Sequence, residues 1–410
     1  MTLASVLLAT SAHAAVLFET HGILSGSGVN AKSQPSWLEG GFGRFVAGGE
    51  TPQDTRTVAF AFAQVGADAF FTNWFAVHAN AVARAEPSRY GGDAAGLLEA
   101  YADLTPLDTD HHRLRLRGGM FFLPTSRENV GPLWSSPYTI TFSAWNTWIG
   151  EEFRPIGAEL EYRHTDDASH QLTFAAGAFG GNDTSGTLLA WRGWSAGSRL
   201  STYGETLPLP PLWSLSDPKF FGGKQRDGTQ PFGSDLDGHI GWMGRVRYAV
   251  PQQFTIQLAG VDNRGDRRLY GDQYSWYTEF LLLGADWHPT PQTTIAAEVA
   301  KGETSMGFPV IAVDVEFRTA YLLASQEFGR HRVSARIERF ENTDHDQRGA
   351  ENDAEDGEAF TVAYFFTPVE HFRVGAEFVR VDAQRPAAAE SGFDPNTDGS
   401  TLTLEARWSW

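Results

Sequence analysis

Three arginines stand two residues apart in the segment 112–117, at Arg113, Arg115 and Arg117. Successive side chains of a β-strand point to opposite faces, so a strand would place all three guanidinium groups on one face. Arginine stays charged at working pH and binds carboxylate or phosphate through two hydrogen bonds. The spacing therefore predicts a basic wall that favours anions. The alternative is a structural network in which they pair with Glu159 and Glu161 of a neighbouring strand, and both can hold together.

Arg245 and Arg247 repeat this spacing and are predicted to line the same interior. Charges of both signs accompany them in later segments, where Asp314, Glu316 and Arg318 alternate with apolar residues. An interior with both signs of charge leaves its ion selectivity open.

A second charged set belongs to the long segment 123–152 and the residues beside it. If this segment folds inward, its opposed charges form a constriction with a transverse field; the alternative is a segment packed on the rim with its charges in solvent. The set comprises Arg127, Glu128, Glu151, Glu152 and Arg154.

Tryptophans in two long segments could stack against sugar faces or aromatic solutes. They are Trp134, Trp145, Trp148, Trp191 and Trp194. The other interpretation is an interfacial aromatic girdle. The girdle is favoured for Trp242, Trp287, Trp408 and Trp410, and the choice stays open for the first set.

The sequence contains no nucleophile elbow, no H-E-x-x-H and no P-loop. The twelve histidines form no ligand-spaced pair, and the chain has no cysteine. Glu151–Glu152 are adjacent, so on a strand they would point to opposite faces. The acidic segment Glu341–Glu358 matches no defined calcium loop. We therefore predict no catalytic residue, metal or cofactor. The net charge of −18 argues against a nucleic-acid partner.

These side chains must be positioned by strands, because most of the chain alternates apolar and polar residues with period two. After the N-terminus no run of 18 apolar residues occurs, so transmembrane helices are not expected. A chain that spans a membrane without helices must close its strands into a barrel. The predicted fold class is an all-β, transmembrane antiparallel up-and-down β-barrel of about 16 strands, with long external loops and short periplasmic turns.

The expected strands lie near residues 36–46, 56–65, 70–85, 96–104, 111–122, 153–164 and 169–180, and then from 235 onward. Backwards from the end, long and short links alternate, with a loop at Gly302–Pro309 among the long ones and a turn at Gly329–Arg330 among the short ones. Such alternation is typical of a meander barrel with two different ends. The longest links, roughly 123–152 and 181–234, both fall on the external side.

The first residues form an apolar stretch that ends in Ala12-His13-Ala14, an A-x-A cleavage signal without a preceding Lys or Arg. We expect residues 1–14 to be a signal peptide, residues 15–35 an N-terminal periplasmic segment, and residues 36–410 a single transmembrane barrel.

Two segments resemble known outer-membrane proteins. The alternating final strand ends in Trp410, and this resembles the C-terminal signature by which the barrel assembly machinery recognises its clients, where Phe is usual. Gly118 to Pro124, running into Ser135 to Phe142, resembles the phosphate-selective porin O and P group. The resemblance implies a 16-stranded homotrimeric porin whose third external loop narrows the pore. The lysine-rich feature of that group does not carry over, because the lysines are Lys32, Lys219, Lys224 and Lys301.

The sequence thus predicts a porin in the outer membrane of a Gram-negative bacterium, a passive diffusion channel for small hydrophilic solutes, with anions first and oligosaccharides second. Its expected partners are outer-membrane lipid and lipopolysaccharide, the assembly machinery and the solutes. Two alternatives stay open: an outer-membrane hydrolase of barrel type, whose triad would be assembled in space, and a periplasmic sugar-binding β-sandwich.

Overall fold

The computed structural model describes residues 16–86, 94–217, 219–221, 228–308, 311–346 and 352–410. Within these residues, sixteen antiparallel strands close into one barrel, and the first strand pairs with the last. A separate two-stranded hairpin lies outside the barrel sheet. The closed barrel confirms the predicted fold class and shows that the β-sandwich alternative is wrong.

The barrel strands run in chain order, and the small hairpin is β10 and β11. The strands are β1 (Leu17–Ser33), β2 (Thr55–Phe70), β3 (Phe75–Ala85), β4 (Ala95–Asp108), β5 (His112–Met120), β6 (Ile156–Thr165), β7 (Gln171–Gly180), β8 (Gly241–Val250), β9 (Phe254–Asp262), β10 (Leu269–Tyr270), β11 (Gln273–Tyr274), β12 (Tyr277–Thr290), β13 (Thr293–Phe308), β14 (Ile311–Phe328), β15 (His331–Asp344), β16 (Glu355–Val369), β17 (Phe372–Gln384) and β18 (Gly399–Ser409).

Short helices occur in the links. The α-helices are α1 (Ala144–Glu152), α2 (Thr187–Trp191), α3 (Trp213–Ser216) and α4 (Pro386–Glu390), and 3-10 turns cover Trp37–Glu39 and Pro132–Trp134. No helix among the described residues is long and apolar enough to cross a membrane.

Links of a few residues follow β2, β4, β6, β8, β12, β14 and β16, at the barrel end where β1 begins and β18 finishes. The longer links, including 34–54, 121–155 and 181–240, lie at the other end. The predicted alternation of short and long links therefore holds, with one exception. The expected loop Gly302–Pro309 is wrong, because β13 continues to Phe308 and β14 begins at Ile311.

The N-terminal boundary was also placed wrongly. Leu17–Ser33 is not a periplasmic segment but β1, which closes the barrel by pairing with both β2 and β18. The expected strand at 36–46 is instead a 3-10 turn and irregular chain. Mixed Gly, Ser and polar residues in β1 hide its alternation from a sequence reading. The predicted signal peptide, residues 1–14, lies outside the described residues.

The outer face of the barrel is apolar. Side chains such as Leu160, Leu258, Leu281, Ile337 and Leu404 are half or more exposed there, as expected of a surface that meets lipid. The four girdle tryptophans are exposed on this face near strand ends, which agrees with their predicted position: Trp242, Trp287, Trp408 and Trp410.

Near the long-loop end the polarity of the wall is reversed. Val313, Val315 and Phe317 are buried and point into the lumen, whereas Glu316 and Arg318 point outward. The inward orientation predicted for Asp314, Glu316 and Arg318 was therefore wrong. The cause is that the loops fill this half of the lumen, so that its wall must be apolar to pack against them.

The main hydrophobic core lies inside the barrel and not between two sheets. Its largest cluster joins luminal wall residues such as Phe280 and Phe340 with loop residues such as Phe142, Trp148 and Trp194. The barrel is consequently a packed shell whose loops supply the core, and any solute path must run through the space that remains.

Candidate functional site

The three arginines of β5 face the lumen, as predicted, and each lies near a carboxylate. Arg115 Nε donates to Asp103 Oδ2 on β4 at 2.7 Å. Arg117 is buried, with its Nη2 atom 2.9 Å from Glu159 Oε1 on β6. Arg113 is part-exposed close to the turn that precedes β5. The arginines are thus both a luminal ladder and part of an ion-pair network.

Arg245 extends this network from β8. Its Nη2 atom donates to Glu161 Oε2 at 2.6 Å and lies 3.7 Å from Glu159 Oε1. The alternative that the three β5 arginines pair with Glu159 and Glu161 therefore holds for Arg117, whereas Arg115 pairs with Asp103 and Arg113 lies closest to Asp108. Such compensated charges shape the wall but contribute little net field.

A second set of arginines lies nearer the short-turn end, and we call it the arginine row: Arg113, Arg127, Arg163 and Arg247. Arg113 is the cross-strand partner of Arg163, and Arg247 that of Gln257. Arg127 reaches the same row from the loop, with Nη2 3.5 Å from Gln257 Oε1. Strands β5, β6 and β8, together with one loop, therefore bring four guanidinium groups to one side of the lumen; Thr173 of β7 lies between Arg163 and Arg247 in the register.

The arginine row carries more positive than negative charge. Among the described residues two carboxylates lie within 4.0 Å of it, Asp108 at 3.7 Å from Arg113 and Asp286 at 3.3 Å from Arg127. Neither Arg163 nor Arg247 has a described carboxylate within that distance. This imbalance makes the row the most basic part of the luminal wall.

The link between β5 and β6, residues 121–155, lies inside the barrel, and we call it the inner loop. Glu128 of this loop forms a buried ion pair with Arg336 of β15. Arg336 also donates to Glu338 Oε1 at 2.7 Å and to the carbonyl oxygens of Thr141 and Phe142, each at 2.9 Å. The predicted constriction residue Glu128 thus holds the loop in place and does not face the pore.

Barrel carboxylates also satisfy the backbone of the inner loop. Glu377 Oε2 accepts from the Ile140 amide at 2.6 Å, and Glu377 Oε1 accepts from Thr141 at 2.9 Å. Glu338 Oε2 accepts from the Ala144 amide at 2.6 Å. Irregular chain in a buried position needs such acceptors because its amides have no strand partner. These luminal carboxylates therefore position the loop.

The chain enters the inner loop through a glycine pair. Gly119 has a φ of 134°, and a Cβ there would lie 2.3 Å from the carbonyl oxygen of Ala100. Only glycine fits this close approach with this backbone. The Gly118-Gly119 pair, part of the resemblance described above, thus turns the chain inward.

Glu151, Glu152 and Arg154 were predicted to line the constriction, and this was wrong. All three are fully buried at the C-terminal end of the inner loop. Glu152 accepts from Trp148 Nε1 at 2.7 Å and from the Leu188 amide at 2.8 Å, and burial raises the pKa of its carboxyl to about 7. Burial also lowers the pKa of Arg154 to about 9, and Arg154 donates to backbone carbonyls. They join the two long loops to each other.

The loop tryptophans likewise serve packing. The rings of Trp145 and Trp148 lie 5.3 Å apart, and Trp148 packs on the wall residue Phe317 at 5.5 Å. The two alternatives left open for these tryptophans, solute stacking and an interfacial girdle, are therefore both wrong for Trp145, Trp148, Trp191 and Trp194, which are at most 1% exposed. Trp134 differs, because it lines the remaining space.

The link between β7 and β8, residues 181–240, also enters the barrel, which the sequence did not indicate beyond its length. Trp194 Nε1 donates to Asn342 on β15 at 2.9 Å. Arg44 Nη1 lies 2.9 Å from Glu355 Oε1 and donates to the Trp194 carbonyl at 2.8 Å. Arg385 adds a second buried pair with Glu355 at 3.2 Å. We call this link the second inner loop.

The two inner loops leave a cavity of about 150 Å³ against the wall formed by β1, β2 and β18. The inner loop and the second inner loop form its other side, through residues 133–142 and 196–200. The lining of this residual cavity mixes large apolar side chains with hydroxyls and a few charges, and the cavity was not anticipated from the sequence.

One group of described residues could hold a metal ion, in the external links. Ligand atoms of Asp237, His239 and Asp266 all lie within 4.8 Å of one another. Asp237 already accepts from Ser275 Oγ at 2.6 Å and from the Asp266 amide at 2.8 Å. The group therefore has a structural role in joining the loops.

No family model matches the chain, and no curated protein matches it. Solved structures do. The outer membrane channel DcaP of Acinetobacter baumannii has 12% identity over 97% of this chain and 98% of that chain, with a TM-score of 0.54. An anion-selective porin from Comamonas acidovorans has 10% identity over 97% and 100%, with 0.53. In-vitro folded OmpT of Vibrio cholerae, trimer form, has 9% identity over 97% and 100%, with 0.53.

At these identities the likeness shows a shared fold. It covers nearly the whole of each chain, so the match extends to the complete closed barrel and not to a few hairpins. With the apolar outer face, this porin fold agrees with the predicted place in the outer membrane of a Gram-negative bacterium.

Proposed function

We propose that this barrel of porin fold is an outer-membrane porin, a passive diffusion channel for small hydrophilic solutes, and not an enzyme. The observation that carries the proposal is the inner loop held inside a closed barrel by luminal ion pairs. A loop fixed in this way narrows the lumen, and the residual cavity is the space that it leaves beside the wall of β1, β2 and β18. Binding and selection then depend on the residues that border the remaining path.

We propose further that the channel prefers anions. The arginine row brings four guanidinium groups together with two carboxylates within 4.0 Å. A fixed excess of positive charge in a low-dielectric lumen lowers the barrier for anions and raises it for cations. Arg163 and Arg247 contribute most to this excess, since no described carboxylate lies within 4.0 Å of either.

Single-channel recording of the refolded protein in a planar bilayer tests both statements. We expect stable conductance steps, and a reversal potential in a salt gradient that indicates preference for chloride over potassium. Replacing both unpaired arginines, Arg163→Gln with Arg247→Gln, should move the reversal potential toward zero.

The matched control is Arg318→Gln, which removes an arginine from the outer face and should leave selectivity unchanged. A folded protein without conductance steps would contradict the channel. Steps whose ion preference is the same in the double variant would contradict the role of the arginine row. Ester-hydrolysis activity in a protein without conductance would favour the barrel hydrolase.

The assembled form is part of the proposal. We infer a homotrimer, supported by the trimer form of a solved structure of the same fold, and assembly through the C-terminal strand that ends at Trp410. Residues 1–14 would direct export, and lipopolysaccharide would surround the external rim. The resemblance to the phosphate-selective porin O and P group stays a prediction. If the channel binds phosphate as that group does, phosphate added to the chloride bath should reduce the chloride current. Chemical cross-linking in native membranes tests the trimer.

A further inference from the structure

We propose that the residual cavity selects aromatic carboxylates, an inference that rests on the proposed channel function and names its solute class. The starting point is the chemistry of the cavity wall. On the barrel side Ile23, Val29, Phe60 and Phe62 face it, and all four come from β1 and β2. Such a lining is unfavourable for strongly hydrated ions, because apolar side chains cannot form the hydrogen bonds that the ion loses when its water is removed.

The inner loop continues the apolar lining on the opposite side. Leu133, Trp134, Ile140 and Phe142 border the cavity there. The ring of Trp134 is held by stacking on Phe122 at 4.6 Å and by an edge contact with Phe142 at 5.3 Å. The ring is therefore fixed in position, and its remaining accessible part contributes to the cavity wall. Aromatic walls with fixed geometry favour an aromatic guest through edge and face contacts.

The size of the cavity fits one ring. An apolar cavity of roughly 150 Å³ is known to admit a benzene molecule, and the residual cavity has about this volume. A substituent on the ring must then point along the cavity toward its polar end.

Two arginines at the β17–β18 side of the cavity supply the charge complement. Arg407 lines the cavity, and its Nη2 atom donates to Glu405 Oε1 at 2.7 Å. Arg373 donates to the other oxygen of the same carboxylate at 3.2 Å. Glu405 further accepts from Ser25 Oγ at 2.8 Å, so its acceptors are well occupied. Two guanidinium groups thus lie within 4.0 Å of one carboxylate, and Arg407, which lines the cavity, is placed to bind a second anion.

The acid–base pairs elsewhere on the wall are balanced. Arg199 lies between Glu86 and Glu205, and Arg84 lies 3.9 Å from Glu205. The excess positive charge in the cavity is therefore at the Arg407 end. The guanidinium of Arg407 lies 6.0 Å from the ring centre of Phe62, so a ring placed on Phe62 brings its carboxylate to Arg407.

The test compares two monocarboxylates with the same number of non-hydrogen atoms, benzoate and threonate, in bi-ionic reversal-potential measurements on single channels. Threonate carries hydroxyls where benzoate carries an apolar ring. We expect benzoate to be about fivefold more permeant than threonate, since aromatic contacts of this kind are worth about 0.5–1.5 kcal/mol and 1.4 kcal/mol is tenfold. In Phe62→Ala the ratio should fall toward one, and in Arg407→Gln both anions should lose permeability relative to potassium.

Phe360→Ala is the matched control, because it removes the same ring from the outer face of β16. Its ratio of benzoate to threonate permeability should equal that of the wild type. Heat-modifiable migration on gels shows that each variant is folded. Chloride conductance together with a ratio of one or less in the wild type would overturn this inference and leave the porin proposal intact.

If the folded protein carries no current at all, the channel proposal fails. A binding measurement then still tests whether the residual cavity takes an aromatic carboxylate. Quenching of tryptophan fluorescence by 4-nitrobenzoate, reduced in Trp134→Phe, would then support an aromatic carboxylate site. Absence of saturable quenching would overturn it.

Discussion

At the scale of single residues, buried ionisable groups determine how the lumen is filled. Arg336 lies between Glu128 and Glu338 with no exposed atoms in its side chain, and it also binds two carbonyls of the inner loop. Removing one member of such a cluster leaves the others as uncompensated buried charges. The resulting loss in the free energy of unfolding is larger than the stability that the intact cluster provides relative to apolar side chains of the same volume. Single substitutions here should therefore have large effects.

The first prediction concerns Arg336→Ala. Loss of the guanidinium frees Glu128 and Glu338 to repel each other and releases the carbonyls of Thr141 and Phe142, so the inner loop should leave its position. We expect a loss of about 3–5 kcal/mol in the free energy of unfolding and a larger, noisier single-channel conductance. Arg318→Ala, which removes an exposed outer-face arginine, should change neither. An unchanged conductance in Arg336→Ala would contradict this role of the ion pair.

The second prediction is a pH dependence from Glu152. Burial raises the pKa of its carboxyl from 4.5 to about 7, so the folded state binds the proton more tightly than the unfolded state. The stability that this proton provides is present below pH 4.5 and is lost as the pH rises toward 7. The shift from 4.5 to about 7 corresponds to a loss on the order of 3 kcal/mol.

Urea unfolding in detergent at pH 5 and pH 8 measures this contribution. We expect the difference in unfolding free energy between the two pH values to shrink in Glu152→Gln, because the variant cannot ionise. Glu370→Gln, at an exposed turn, is the control and should keep the wild-type difference. Equal pH dependence in wild type and Glu152→Gln would show that the carboxyl is not responsible.

At the scale of elements, the two inner loops behave as a core that the barrel surrounds. Helix α1 is joined to the second inner loop by Glu152, which accepts from the Leu188 amide at 2.8 Å. The second inner loop is in turn held by Arg385, which donates to the Ala190 carbonyl and pairs with Asp353 and Glu355, each at 3.2 Å. Each loop thus depends on the other and on luminal charges for its position.

The third prediction tests this dependence through Arg385→Ala. The variant leaves Asp353 and Glu355 partly uncompensated and should loosen the second inner loop, which contains the buried trypsin sites Arg192 and Arg199. Local opening should become easier by at least about 1.4 kcal/mol, which corresponds to about tenfold faster tryptic cleavage in that loop. Mass spectrometry of the fragments identifies the cut.

Arg380→Ala is the corresponding control, because Arg380 is exposed and pairs with Asp382 on the outside. Its cleavage rate should match the wild type. Cleavage in Arg385→Ala that is no faster than in this control would mean that packing alone holds the loop.

At the scale of the whole molecule, the barrel depends on its closing seam between β1 and β18. Gly22 and Trp410 exchange two backbone hydrogen bonds of 3.1 Å at the end of this seam. The Trp410 ring covers Gly22 so closely that a Cβ there would lie 2.3 Å from it. Trp410 therefore packs on β1, the strand that closes the barrel with β18.

The fourth prediction is that Gly22→Val weakens closure. The added side chain must displace the Trp410 ring, and overpacking of this kind costs about 1–3 kcal/mol. The temperature at which the folded gel band converts to the unfolded band should fall. Gly26→Val, four residues along the same strand with no heavy atom within 4 Å of its Cβ position, should leave this temperature unchanged. Equal temperatures for both variants would contradict the importance of the seam.

Local sequence information was enough for the type of fold and for the luminal face of many strands. Alternation with period two depends on neighbouring residues alone, so the luminal side of Arg113, Arg115 and Arg117 and the outward girdle tryptophans followed from spacing. Long and short links also indicated the two ends of the barrel. The same information failed at β1, where glycine and serine weaken the pattern, and at Glu316 and Arg318, where the filled lumen reverses the polarity of the wall.

Everything that concerns the path through the barrel came from contacts between residues far apart in the chain. The pair Glu128–Arg336 joins positions 208 residues apart, and Glu377 binds a loop amide 237 residues away. No local pattern records such partners, because each is selected by the closure of the sheet and by the amides that the loops must satisfy. For the same reason the residual cavity, with Phe62 on one side and Trp134 on the other, exists only once both loops are packed inside the closed barrel.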